Sequence, residues 1–218
     1  MLQYRPMKKL DTQRTVGITG KTTTGKSFFA QILGEMTGFH VIHADKYLDE
    51  IILKPPIKQL LEKRIGCELN ATEEDIMRSQ SGDPVIWKRF LNIIHGPTID
   101  LNKQKVLTVL FLLNHELAKE LKQLDGTPTI VESVGLPHFR AARNLADYTF
   151  VTSDEQLRYQ KKMHRDNITF EEAKKNDEFY CSIFNYDKLR YSRTFNNDYK
   201  SIPAGFEQYA EELVNRFS

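Results

Sequence analysis

The spacing of apolar positions changes repeatedly along the chain, and each change marks an element. Residues 14–19 (RTVGIT) form a short apolar run that predicts a buried strand. A 3.6-residue period follows from Ser27 to Met36 and predicts a helix with Phe28, Ile32, Leu33 and Met36 on its inner side. Thr37-Gly38 supplies the stop. Residues 39–45 (FHVIHAD) predict a second strand.

From Lys46 to about Asp125 the pattern is helical. Asp83-Pro84 reads as a cap and first-turn proline opening VIWKRFLNII. Leu107, Leu110, Leu113, Leu117, Leu121 and Leu124 keep helical spacing through one long element. Strand character returns at residues 127–133 (TPTIVES), 146–152 (ADYTFVT) and 192–197 (SRTFNN), with helical stretches between them and a last helix in GFEQYAEELVNRF.

Strands alternating with helices predict an α/β fold, a parallel five-stranded sheet flanked by helices. A chain of 218 residues suits one domain. Its core is expected at about 14–46 and 127–218, with the helical block at about 47–126 inserted over one end of the sheet.

Composition narrows the partners. Apolar residues make up 40%, charged residues 28%, and the net charge is +2. That balance is globular, with no concentrated basic face, so no nucleic-acid partner is expected. The pairs Lys8-Lys9, Lys161-Lys162 and Lys174-Lys175 read as solvated positions. Cys67 and Cys181 lie far apart without a CxxC spacing, which points to a reduced, cytoplasmic setting. The start lacks the apolar core of a secretory signal. The densest apolar run, residues 106–113, is too short to span a bilayer, so no membrane partner is expected. A monomer or weak homo-oligomer is the expected state.

The chemistry concentrates between the first strand and first helix. Gly20, Lys21, Thr22, Thr23, Thr24, Gly25, Lys26 and Ser27 satisfy G-x-x-x-x-G-K-[ST], the phosphate loop of the P-loop NTPase fold. The glycines let successive amides face one anion, and the following helix aims its positive end there. Lys26 is placed to reach the outer phosphates of ATP, and the Ser27 hydroxyl to ligate Mg²⁺. A threonine-rich turn that binds nothing is the plain alternative.

Ligands of open parallel sheets gather at the carboxyl ends of the strands, where Asp45 and Glu132 fall. Either carboxylate could stand near Mg²⁺, and Asp45 could take a proton from an attacking hydroxyl or merely cap a helix. His43 reads as a packing or hydrogen-bonding residue. Downstream, LRYQKKMHRDNITFEEAKK carries Arg158, Lys161, Lys162 and Arg165, then Thr169 with Glu172 three residues on. That predicts a helix end, a capping box and a second helix, a lid at about 158–180 with Arg165 at its tip.

With these residues in view, the chain resembles the dephospho-coenzyme A kinase family of P-loop kinases over nearly its whole length. VGITGKTTTGKS resembles that family's phosphate loop, HVIHAD its strand ending in aspartate, and TPTIVESVGL its strand with a glutamate. ADYTFVTSDEQLRYQKKMHRDNIT resembles the strand leading into the lid, and TFNND, with Asn196 and Asn197, the turn beside the adenine. The resemblance implies transfer of the ATP γ-phosphoryl group to the 3′-hydroxyl of dephospho-CoA, a small-molecule acceptor. It implies that Asp45 activates the hydroxyl, that Arg165 comes from the lid, and that the insertion cradles the acceptor. The chain departs from the family at Lys21, where a glycine is usual, at His43, where aspartate is usual, at Asp100, and at Asn176-Asp177. A nucleoside or nucleotide kinase shares the same loop and lid, and a P-loop regulatory ATPase shares the loop.

Overall fold

The computed structural model describes residues 14–44, 52–65, 70–80, 114–115, 117–124, 126–138, 145–184, 186 and 190–218. Burial along the strands follows their place in the sheet. β1 (Thr15–Thr19) is buried at every position, β3 (Thr129–Glu132) likewise, and β4 (Asp147–Thr152) alternates. β2 (His40–His43) and β5 (Arg193–Asn196) each bury one residue, Ile42 and Phe195. The strand order explains this: β2-β3-β1-β4-β5, with β2 and β5 at the edges and every pairing parallel. From β1 the chain first goes to the β2 edge and later to β4 and β5, so connections part at the carboxyl end of β1.

Among the described residues helices and turns follow, including a helical stretch at 117–123 whose Leu117 and Leu121 enter the core. The numbered helices are α1 (Lys26–Thr37), α2 (Pro55–Ile65), α3 (Glu73–Gln80), α4 (Glu155–Asp166), α5 (Phe170–Phe184) and α6 (Phe206–Phe217), with a 3₁₀ turn at Leu136–His138. The period-2 pleat splits β3 between two cores: Ile130 joins Val16, Ile18, Phe29, Leu33 and Leu213 on one face. Val131 joins Ile42, Leu117, Leu121, Leu136 and Ile183 on the other. Among the described residues, no helix is long and apolar enough to cross a membrane.

Phe29 fixes the start of α1. Its ring meets Phe206 edge-on at 5.0 Å and lies 6.3 Å from Phe195, so α1, α6 and β5 share one aromatic cluster. Full burial of Phe29 and Leu33 contributes about 1.5–3 kcal/mol each. The inward face of α1 is therefore Phe29, Ala30, Leu33 and Gly34. Of the expected inner residues, Leu33 is buried and Ile32 packs in part, whereas Phe28 is 57% and Met36 41% exposed. One residue turns a helix by about 100°, so the apolar Phe28 and Met36 drew the expected face away from the true one. The stop at Gly38 holds: its φ is 72° and its amide donates to the Gly34 carbonyl at 2.8 Å.

The described parts of the block at 47–126 are helical, but Asp83-Pro84, Asp100 and Leu107 to Leu113 lie outside the described residues. Thr72 and Asp75 form a capping box before α3, and Thr169 and Glu172 form the expected one before α5.

α4 and α5 make a hairpin joined through Asn167, which caps α4 at φ 52°. Positions 158 and 162, one turn apart, face α5. Arg158 donates two hydrogen bonds to the Asp177 carboxylate, at 2.7 and 2.8 Å, and both residues are buried. Lys162, expected to be solvated, is 3% exposed, and its ammonium lies 5.4 Å from the Tyr180 ring centre. Burial lowers its pKa to about 8; Arg165 and Arg158 push the same way, against Asp166 and Asp177.

Between pH 8 and 10.5 an unfolded chain holds a proton on this lysine that the folded chain releases, so its contribution to stability rises with pH there. Lys162→Met should raise the melting temperature at pH 7 by at least the roughly 2–4 °C that 1 kcal/mol represents at this size. Calorimetry across the pH range should show that advantage over the parent shrinking above pH 8 and gone above 10.5. An advantage independent of pH would refute the buried charge as its cause.

Candidate functional site

The loop between β1 and α1 is shaped by close backbone approach. A Cβ on Gly20 would meet the Val151 carbonyl oxygen at 2.2 Å, and one on Gly25 the Asn197 side-chain nitrogen at 2.3 Å. Both sites therefore need glycine. Three side chains from outside grip the loop's carbonyls. Arg158 Nη1 donates to the Thr22 carbonyl at 3.3 Å, the Tyr199 hydroxyl to that of Thr23, and Asn197 Nδ2 to that of Thr24 at 2.8 Å. A trans peptide points its amide opposite its carbonyl. Pulling these three carbonyls outward therefore turns the amides of Thr23, Thr24 and Gly25 inward, as an anion cradle requires.

At the cradle's rim lies a buried carboxylate. Glu132, which ends β3, is 2% exposed. Its Oε2 accepts from Ser27 Oγ at 3.1 Å and lies 3.1 Å from His43 Nδ1, while Lys26 Nζ lies 3.8 Å from Oε1. Burial opposes the charge, but hydrogen bonds from His43 and Ser27 and the Lys26 ammonium outweigh it, and the carboxyl is held below its ordinary range. Among the described residues Oε1 accepts no hydrogen bond. A buried carboxylate oxygen beside a serine hydroxyl, an oxygen-only donor set, fits a hard divalent cation. Among the described residues no three His, Cys, Asp or Glu side chains cluster together, and Asp45, also expected near such an ion, lies outside them.

The loop opens into a cavity of about 600 Å³ lined by Thr23, Gly25, Lys26 and Ser27 on one side and α4 on the other. Lys161, His164 and Arg165 present cations or a titratable ring to it, beside Leu157 and Tyr199. Arg165 stands near the tip of the hairpin, half-exposed, and pairs with Asp166 at 2.7 and 2.8 Å.

The structure thus brings together Gly20 to Ser27, Glu132 and Arg165. Asp45 lies outside the described residues. Asn196 ends β5 exposed, and Asn197 is buried with its amide on the loop and its Oδ1 accepting from the Tyr199 amide at 2.9 Å. Lys21 offers its carbonyl to Thr24 Oγ1 at 3.1 Å, and its charge acts on Asp177. Sequence reasoning missed the Arg158–Asp177 pair and Tyr199, whereas His43, read as a packing or hydrogen-bonding residue, does hydrogen-bond, to Glu132. Only Arg158 carried a signal, as one of several cations on α4.

No protein-family model matches the chain. Dephospho-CoA kinases from Synechococcus elongatus and from Synechococcus sp. are each 22% identical to it over 160 residues, 72% of this chain and 71% of theirs. The crystal structure of TT1252 from Thermus thermophilus superposes with a TM-score of 0.54 at 16% identity, over 91% of this chain and 93% of that one. A dephospho-CoA kinase from Campylobacter jejuni gives 0.50 at 18% identity, over 94% and 97%. The chain shares the fold of these two structures. Its sequence relatives are dephospho-CoA kinases, and the solved structures establish the fold.

The Arg158–Asp177 pair ties the α4–α5 hairpin to the Thr22 carbonyl. Asp177→Ala strands a buried guanidinium and should cost about 3–5 kcal/mol of stability, read from urea unfolding. A loss under about 1 kcal/mol would show the pair to be dispensable.

Proposed function

We propose that the chain transfers the γ-phosphoryl group of ATP to the 3′-hydroxyl of dephospho-CoA in a Mg²⁺-dependent reaction. The observation that carries this reading is the convergence of Lys26, Ser27 and the buried Glu132 at the mouth of the inward-facing loop amides. On this reading the loop takes the β- and γ-phosphates, and Lys26 exchanges Glu132 for their oxygens. Ser27 and Glu132 would hold Mg²⁺, which would supply positive charge to the phosphates. Arg165, already on the cavity wall, meets the equatorial oxygens as charge spreads over them. By the family resemblance, Asn196 at the end of β5 would lie beside the base.

Asp45, two residues beyond β2, accepts the proton of the acceptor hydroxyl. The oxygen then forms its bond to the γ-phosphorus while the bridging β–γ bond breaks and ADP departs. The acceptor assignment is supported by the sequence relatives, which are dephospho-CoA kinases. Residues 47–126 would then hold the acceptor.

Coupled measurement of ADP release tests the reading with dephospho-CoA, a panel of nucleosides and nucleotides, and no acceptor. Release should require dephospho-CoA, and Lys26→Ala should lower it by about 10²-fold or more while the far-ultraviolet circular dichroism is retained. Turnover with a nucleoside instead would reassign the acceptor, and turnover without any acceptor would make the chain a hydrolase.

Asp45→Asn should lower kcat by about 10²–10⁴-fold with ATP affinity little changed. Were only the melting temperature to fall, Asp45 would be a helix cap.

A further inference from the structure

Thr23 is β-branched and stands at φ 57°, and Tyr199, which touches it, stands at φ 62°. Side chains of this kind avoid the left-handed region unless the surroundings hold them there. The surroundings here do so from several sides. The Tyr199 hydroxyl donates to the Thr23 carbonyl, and the one proton of Thr23 Oγ1 is shared between the carbonyls of Thr22 at 2.7 Å and Arg158 at 3.0 Å. Tyr199 is itself held by Asn197 Oδ1 at its amide and by the Lys161 ammonium 4.2 Å over its ring.

We propose that the Tyr199 hydroxyl is a positioning group for polyphosphate: it holds Thr23 left-handed, which turns the Thr24 amide into the cradle. The inference rests on the phosphate-loop reading above. It assigns to this hydroxyl a conformational task that a glycine at position 23 would perform without help, since glycine adopts positive φ freely.

Titration calorimetry on the full chain tests this, with Mg²⁺-tripolyphosphate, which has no base or ribose, beside Mg²⁺-ATP. Tyr199→Phe keeps the ring and should weaken both ligands by about tenfold, the value of one hydrogen bond. In a Thr23→Gly background the same substitution should cost less than about threefold, because the clamp then has no strained residue to hold. Melting curves establish that each variant is folded at the titration temperature. Tripolyphosphate affinity unchanged by Tyr199→Phe overturns the proposal, as does an undiminished tenfold loss in the Thr23→Gly background. A parent chain that binds neither ligand removes the loop reading itself, and this inference with it. The two failures are told apart because that one appears without any substitution.

Discussion

A peptide unit cannot aim its carbonyl and its amide the same way. An anion cradle made of backbone therefore needs partners on its outer side as much as a ligand on its inner one. Arg158, Tyr199 and Asn197 are those partners, and they come from α4 and from the segment after β5, elements far from the loop in sequence. Much of the fold's order follows from this requirement. β5 must lie beside β4 for Asn197 to reach Thr24, and the Asn197 amide itself bonds the Thr152 carbonyl at 2.8 Å. α4 must dock against α5 for Arg158 to be buried, and Asp177 must neutralise it there.

The buried Glu132 imposes a second constraint. A carboxylate without water is costly unless cations and donors surround it. Here those groups are Lys26 and Ser27 from the loop and His43 from the neighbouring strand. The charge that stabilises Glu132 in the folded chain is thus the charge a phosphate would use. On the proposed reading, ligand and carboxylate would compete for Lys26, and a divalent ion beside Glu132 would resolve the competition by replacing the lost positive charge.

Legibility in the sequence followed the range of the interactions. The central strands β1 and β3 were readable because parallel strands buried on both faces are continuous apolar runs bounded by turn residues, whereas the edge strand β5 buries only Phe195 and gives a fainter pattern. The loop was readable because its signature is eight contiguous residues, and the Thr169–Glu172 cap because its partners lie three residues apart. The phase of α1 was not: Phe28 and Met36 are apolar yet exposed, and nothing local ranks them below Phe29 and Ala30. Nor could Lys162 be told from Lys161, since only the position of α5 buries one and leaves the other out. Tyr199 and Asp177 belong to the same class. Their importance arises from contacts across the fold that no spacing encodes.

The two arginines of α4 show how magnitude separates structure from chemistry on one helix. Arg158 and Arg165 each hold an aspartate by two short hydrogen bonds. Arg158–Asp177 is buried, and losing either partner leaves a desolvated charge, so that pair stays closed. Arg165–Asp166 is half in water, where such a pair contributes only about 0–1 kcal/mol. A polyphosphate in the cavity offers Arg165 more charge than Asp166 does, at little cost in breaking the pair. The buried arginine therefore fixes where α4 sits, and the exposed one is the arginine that can change partners when the cavity fills.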